Sequence, residues 1–372
     1  MEPASGRSRR AAAADVELKP LPKKIRGGLR TRTISSIRRC STASSKRPSA
    51  REPKWRHQVP MPWLVHVSST PPVDGAEAVG LTGIIIRCDK EKAWILTSYR
   101  AVYDTFEEEL YHPRRKLAVH VTEAVLLPNN NGMFEADMLF FSTLYALAVL
   151  TIKVEAMLEI NLPTYGHSPQ YADEVSVYAL DEDLSLNCIN GTIMWLEEDH
   201  FVFFSSDLCP CGLGGPVLNH DGDVIGMACD DDIVPCIVGI SVINKWIEMH
   251  TKFGCFARPR LGMLLSSVEL KALEYQYYLH YKYGINGGFV IDKVDMNCTA
   301  GKLGIRQGDV ITSFNEMSCY LPELEDFLLE IGMAFLDKTK CVNEFKLEVY
   351  NLLERTKRTI VLPVEISGGS IN

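Results

Sequence analysis

Between residues 61 and 252 the apolar positions come in short runs, broken by turn residues every eight to twelve positions. That spacing belongs to antiparallel strands rather than to helices. Residues 82–88 end at the polar tetrad Asp89-Lys90-Glu91-Lys92 and residues 93–97 return, which predicts a hairpin. Asn129-Asn130-Asn131-Gly132 predicts a second, between residues 121–127 and 133–141, and Asn219-His220-Asp221-Gly222 a third, between 217–218 and 224–227. Strands do not alternate with helices as in a parallel sheet, so the pattern predicts one or two β-barrels. The apolar run 138–152 is broken by Ser142, Thr143 and Tyr145 and reads as two strands and a turn. At about 15 residues it is too short for a membrane-spanning helix.

After Ala257 the pattern changes. Residues 270–283 read as a helix, 289–291 as a strand, 298–303 as a short helix ending near Gly304, and 322–335 as an amphipathic helix with Pro322 at its start. Strands follow at 345–350 and 358–362. The expected organisation is a tail over 1–57, a β domain over 58–254, an α+β domain over 258–366 and a flexible C-terminus over 367–372.

Charge divides the chain further. Residues 1–57 carry 16 of the 39 Lys and Arg but only four of the 47 acids, a net +12, against −20 for the rest. Rich in Ser, Arg, Lys, Ala and Pro, this tail lacks the apolar area to offset the entropy of ordering and is expected to be disordered. Its clusters at Lys23-Lys24-Ile25-Arg26 and Lys46-Arg47 fit nuclear import, a transit-like segment, or simply a solvated tail. Without interleaved aromatics it offers no support for nucleic-acid binding. Eleven cysteines, an odd and dispersed set, read as free thiols of a reducing compartment, and no apolar signal segment opens the chain. The expectation is an intracellular protein, nuclear or cytosolic, without membrane association; import into an organelle is the alternative.

The candidate chemistry lies in two places. Gly212-Leu213-Gly214-Gly215-Pro216-Val217-Leu218-Asn219, followed by Gly222-Asp223-Val224-Ile225-Gly226, resembles the GNSGGPLVN and G-x-VIG passage of HtrA/Deg (Do-like) trypsin-fold serine proteases. Arg258-Pro259-Arg260-Leu261-Gly262-Met263 is similar to the opening of that family's PDZ domain. Gly287-Gly288-Phe289-Val290 and the passage from Ala300-Gly301-Lys302-Leu303 to Gly308-Asp309-Val310-Ile311 resemble its later elements. The resemblance implies a mainly β chain: a trypsin-like double β-barrel followed by an α+β PDZ domain.

It also locates the catalytic roles, and all three are empty. The nucleophile position before Gly-Gly-Pro is Leu213, the histidine of ILTNAHVV falls on Arg100, and the acid of DLAVLKI on Ala146. Leucine has no nucleophilic atom, a guanidinium is no base near neutral pH, and alanine accepts no imidazole proton. In the oxyanion loop, Cys211 stands at the usual first glycine, beside Gly212. The resemblance thus implies a degenerate, plant-type member without protease activity. A second reading is an active serine-type endopeptidase of protein quality control, or one whose site has shifted to a Cys–His pair drawn from Cys211 and Cys209 with His200 or His220. Cys209, Cys211, Cys229 and Cys236 lack the usual zinc-knuckle spacing, so no metal or cofactor is expected. The run Asp230-Asp231-Asp232 reads as a solvated loop, and His66, His112, His120, His167, His250 and His280 as isolated residues.

The second place is the PDZ-like groove. By the resemblance, Arg260, Leu261, Gly262 and Met263 form the loop that receives a peptide's terminal carboxylate, and the helix at 322–335 forms the opposite wall. The expected partners are peptides or protein C-termini, with assembly into homo-oligomers or with active relatives implied by the family. A third reading is a nuclear adaptor working through its basic tail.

Overall fold

The structure is a computed structural model. It describes residues 61–369 apart from 71–77, 90, 105–108, 111–115, 122–131, 155–159, 195–201, 205–207, 232–233, 318, 320 and 340–341. The expected tail and most of the Asn129–Gly132 hairpin lie outside the described residues.

Strands β1 (Leu64–Thr70), β2 (Val79–Cys88) and β3 (Lys92–Ser98) open the first barrel, with a short ribbon of β4 (Tyr103–Asp104) and β5 (Glu109–Leu110) beside it. β6 (Lys116–Val121), β7 (Met133–Ser142) and β8 (Leu147–Lys153) complete it, in the closed order β1-β2-β3-β8-β7-β6. The run at 138–152 is indeed two strands and a turn. The second barrel comprises β9 (Glu174–Leu180), β10 (Leu186–Met194), β11 (Val202–Phe204), β12 (Pro216–Leu218), β13 (Val224–Asp231) and β14 (Val234–Gly239), closed as β10-β11-β14-β13-β12-β9. Its β12–β13 turn is set by Asn219, whose Oδ1 accepts the amides of Asp221 and Asp223 at 3.0 Å each.

Alternating positions fill the barrels. Val65, Val67, Leu81, Ile85, Ile95 and Val149 are fully buried in the first. Its core continues through Tyr178, Leu180 and Leu213 to helix α1 (Ile240–Phe253), which buries Ile243, Trp246 and Met249 at helical spacing. The chain leaves α1 through Gly254 in the left-handed conformation.

The C-terminal module contains β15 (Phe256–Arg260), β16 (Met263–Ser267), α2 (Leu273–Tyr283), β17 (Phe289–Val294), α3 (Thr299–Lys302), β18 (Val310–Phe314), α4 (Leu321–Asp337), β19 (Glu344–Asn351), β20 (Thr356–Pro363) and β21 (Glu365–Gly369). Its five-stranded sheet runs β16-β17-β18-β19-β20, and β15 pairs separately with β21. Phe289, Phe314, Leu328, Phe345 and Leu347 form its core. Two boundaries move. Helix α2 begins at Leu273 because residues 268–270 form a 3-10 turn, and the C-terminus, expected to be flexible from 367, continues in β21 to Gly369 through its ladder with β15.

Candidate functional site

Thr82 of β2 joins the two barrels at the first site. Its amide donates to the Leu213 carbonyl at 3.0 Å, and its hydroxyl donates to the Cys211 carbonyl at 2.6 Å while accepting the Leu180 amide at 2.9 Å. The loop from Cys209 to Gly215 is thereby pinned across the first barrel. Gly214, at φ +82°, packs against Thr82 and the end of β3: a Cβ there would lie 2.2 Å from the Thr82 carbonyl oxygen and 2.8 Å from the Ser98 nitrogen. Only glycine fits so close an approach.

Ser98 in turn caps the short turn Tyr99–Ala101, its Oγ accepting the Arg100 amide at 3.3 Å, and the Tyr99 amide donates to the Ala146 carbonyl at 3.1 Å. The segments bearing Leu213, Arg100 and Ala146 therefore meet in one connected cluster. Leu213 and Ala146 are buried and Arg100 is half-buried. Ala146 holds φ +54°, a left-handed conformation that alanine seldom adopts. The amides beside Leu213 turn inward: Gly212 N–H donates to the Cys209 carbonyl at 2.8 Å, and Leu213 N–H to the Pro210 carbonyl at 3.2 Å.

The cysteines separate into pairs. Cys209 and Cys211 place their sulfurs 2.7 Å apart and partly exposed, while Cys229 and Cys236, opposite one another on β13 and β14, are buried at 2.6 Å. Among the described residues no three metal-ligating side chains gather into a metal site. Burial, the Cys209 thiol and Asp181 push the Cys211 thiol up to about 12. His220 pairs with Glu174 at 3.3 Å on the exposed β12–β13 hairpin, and His200 lies outside the described residues.

Two other expectations need correction. Asp230 and Asp231 belong to β13, paired with Pro235 and Val234, because the strand outruns the apolar run that marks it in the sequence. His66 and His120 are direct cross-strand neighbours on β1 and β6, each with a buried Nε2 lacking a partner among the described residues. Burial lowers the His66 pKa, as does His120, with Glu182 and Asp181 opposing.

The second site is a cavity of about 500 Å³ in the C-terminal module. Arg260, Leu261, Gly262 and Met263 all line it, so the sequence-predicted loop is brought together. Leu324 and Leu328 of α4 form the facing wall. Gly262 is at φ +67°, and a Cβ there would lie 2.4 Å from Cys298 Sγ. β16 is an edge strand of the five-stranded sheet, so one side of its backbone is left for a further strand.

Residues to which the sequence assigns no role of their own complete the cavity. Arg258 Nε and Nη2 donate to the two carboxylate oxygens of Glu325 at 2.7 and 2.5 Å, and Glu325 also accepts the Tyr145 hydroxyl. Burial opposes the charge on Arg258, but Glu325 outweighs it and raises the guanidinium's pKa; burial and the Glu325 charge raise that of Tyr145. Glu325 has a sequence signal: it lies on the apolar side of α4 with Leu321, Leu324, Leu328 and Leu329.

Two closed β-barrels meeting at a Gly-Gly-Pro loop define a trypsin-like double-barrel protein. No family model matches the chain. It is similar to the probable periplasmic serine endoprotease DegP-like of Marinomonas sp. (strain MWYL1), 26% identical over 159 residues that cover 38% of this chain and 32% of the relative. It is also similar to the serine protease HtrA-like of Staphylococcus aureus (strain MRSA252), 28% identical over 134 residues, covering 34% of this chain and 16% of the relative. The chain thus spans a third or less of the curated relatives it matches. Its fold is that of the HtrA-type protease AlgW with a tripeptide, at TM-score 0.54 and 15% identity over 82% of this chain and 94% of that one. AlgW with a decapeptide gives TM-score 0.50 and 13% identity, over 83% and 96%. The chain is a homologue of HtrA/DegP-type serine proteases.

Proposed function

We propose that this chain is a catalytically inactive HtrA-type protease homologue that holds peptides in a PDZ-like groove. One observation carries the reading: the three segments that meet at the barrel junction present a leucine, an arginine and an alanine, with the neighbouring amides bonded to their own loop. Those three positions offer no group to attack a carbonyl and none to take the proton, and the amides of Gly212 and Leu213 are bonded within their own loop rather than to a developing oxyanion. The groove retains what recognition needs: an edge strand, a loop opened by Gly262, and an apolar wall from Leu324 and Leu328 for a terminal side chain. That AlgW is found with peptides supports the same use of this fold.

The test has two arms on the full chain. A fluorophosphonate probe and unfolded casein measure acylation and turnover, and neither is expected; turnover abolished by Cys211→Ala would establish the shifted endopeptidase instead. Fluorescence anisotropy with peptides ending in an apolar residue, as free acid or as amide, measures the groove. Amidation is expected to weaken binding at least about tenfold, as for loss of a charge-assisted hydrogen bond. Equal affinity for both forms would overturn carboxylate recognition.

A further inference from the structure

We propose that Cys209 and Cys211 form a thiol–disulfide exchange site, closed into an intraloop disulfide by small-molecule disulfides such as glutathione disulfide. The two sulfurs already lie 2.7 Å apart, and both residues are partly exposed. The backbone holds them there: Cys209 precedes the 3-10 turn Pro210–Gly212 in an extended conformation, the Gly212 amide returns to the Cys209 carbonyl at 2.8 Å, and Thr82 grips the Cys211 carbonyl at 2.6 Å. Sulfur approach therefore requires no unfolding of the loop, which removes most of the entropy that opposes ring closure between residues so close in sequence. The second pair supplies an internal contrast. Cys229 and Cys236 are as close but fully buried, so a dissolved disulfide does not reach them in the folded chain.

The chemistry runs in two displacements. Cys209, as thiolate, attacks one sulfur of glutathione disulfide; a protein–glutathione bond forms, the glutathione disulfide bond breaks, and one glutathione thiolate leaves. Cys211 then loses its proton and attacks Cys209 Sγ, forming the intraloop disulfide and expelling the second glutathione. Both protons finish on the two glutathione thiols: the protein dithiol is oxidised by two electrons and glutathione disulfide is reduced. Cys211 is the resolving member because Thr82 grips its carbonyl from the facing strand, and burial, the Cys209 thiol and Asp181 push its own thiol up. The linkage would fasten the loop that carries Leu213, with its amides turned inward, so the thiol state of the solution would govern how rigid the barrel junction is.

The test equilibrates the full-length protein in glutathione buffers from reducing to oxidising, quenches it with acid, and maps chymotryptic peptides by mass spectrometry. The expected result is loss of two hydrogens from the segment holding Cys209 and Cys211, reversed by dithiothreitol, while exposed Cys188 in the same sample carries glutathione. Cys211→Ser is expected to trap glutathione on Cys209, and Cys209→Ser to leave Cys211 unmodified. Glutathione on both residues without a bridge, or both remaining reduced while Cys188 is modified, would overturn the proposal, as would bridging confined to Cys229 and Cys236.

Discussion

Tyr145 and Glu325, 180 residues apart in sequence, share a buried hydrogen bond that joins the β7–β8 turn to the helix walling the peptide groove. Arg258 completes the arrangement with a two-pronged ion pair. A carboxylate this deep is tolerated only because every charge is answered. Tyr145→Phe removes one donor to a charged acceptor and is expected to cost about 1.5–3 kcal/mol. Glu325→Gln leaves Arg258 buried without its counter-ion and is expected to cost about 3–5 kcal/mol. Urea unfolding of the three proteins checks the order; equal stability of wild type and Glu325→Gln would show that the network contributes nothing.

Restoring the chemistry should take more than restoring the residues. Leu213→Ser alone supplies a hydroxyl without a base, and in subtilisin the loss of the catalytic histidine alone costs about 10⁶-fold in turnover. The triple variant Leu213→Ser, Arg100→His, Ala146→Asp fills every role, and Asp suits the left-handed conformation at 146 better than alanine does. Residue 213 still donates its amide to Pro210. Labelling of the triple variant by a fluorophosphonate is therefore expected at least about 100-fold slower than for an active HtrA-type protease. Labelling at the full rate would mean that this loop opens readily.

Much of this architecture was legible because its determinants are local. The Asn219–Gly222 turn closes its own hairpin, and residues 138–152 announce two strands through their interruptions. What escaped depends on distant partners. Helix α1 follows β14 without a side-chain cap, and its opening Ile240-Ser241-Val242-Ile243 reads as strand; packing of Trp246 and Met249 on the barrels decides otherwise. β21, with three glycine and serine residues among its five, has weak strand character and exists through its ladder with β15. His66 and His120 are 54 positions apart and meet only when β1 pairs with β6. The groove loop was found through the resemblance and Gly262, whereas the ion pair at its back required knowing which faces of α4 and β15 meet.

Gly214 and Gly254 separate two costs that sequence cannot distinguish. Both hold a positive φ, +82° and +68°, but a Cβ at 254 meets nothing within 4 Å, whereas at 214 it runs into the Thr82 carbonyl at 2.2 Å. Gly254→Ala is expected to cost about 1–2 kcal/mol, the strain alone. Gly214→Ala adds a backbone clash at the joint between barrels, so about 4 kcal/mol or more is expected, or failure to fold. Urea midpoints for both variants provide the measurement; similar values would mean that the loop shifts away from Thr82 at little cost.

His250 makes stability depend on acid in a defined window. Its ring stacks on Phe140 with centroids 4.3 Å apart and meets Trp246 edge-on, and its Nδ1 is buried without a partner among the described residues. Burial lowers its pKa from the ordinary 6.5 to about 4. Above pH 6.5 the ring is neutral in both folded and unfolded chains, and its contribution is complete. As pH falls below 6.5 the unfolded chain takes up a proton that the folded chain refuses until about pH 4, so stability is lost by about 1.4 kcal/mol per pH unit, to a total of about 3 kcal/mol. His250→Phe retains the stacking and removes the titration. The difference in unfolding free energy between wild type and this variant, followed by urea titration from pH 7.5 to about 4, isolates the histidine from acids elsewhere, which titrate in both. That difference is expected to be flat above pH 6.5 and to grow against the wild type below it; a difference independent of pH would mean that the folded protein admits the proton as easily as the unfolded chain.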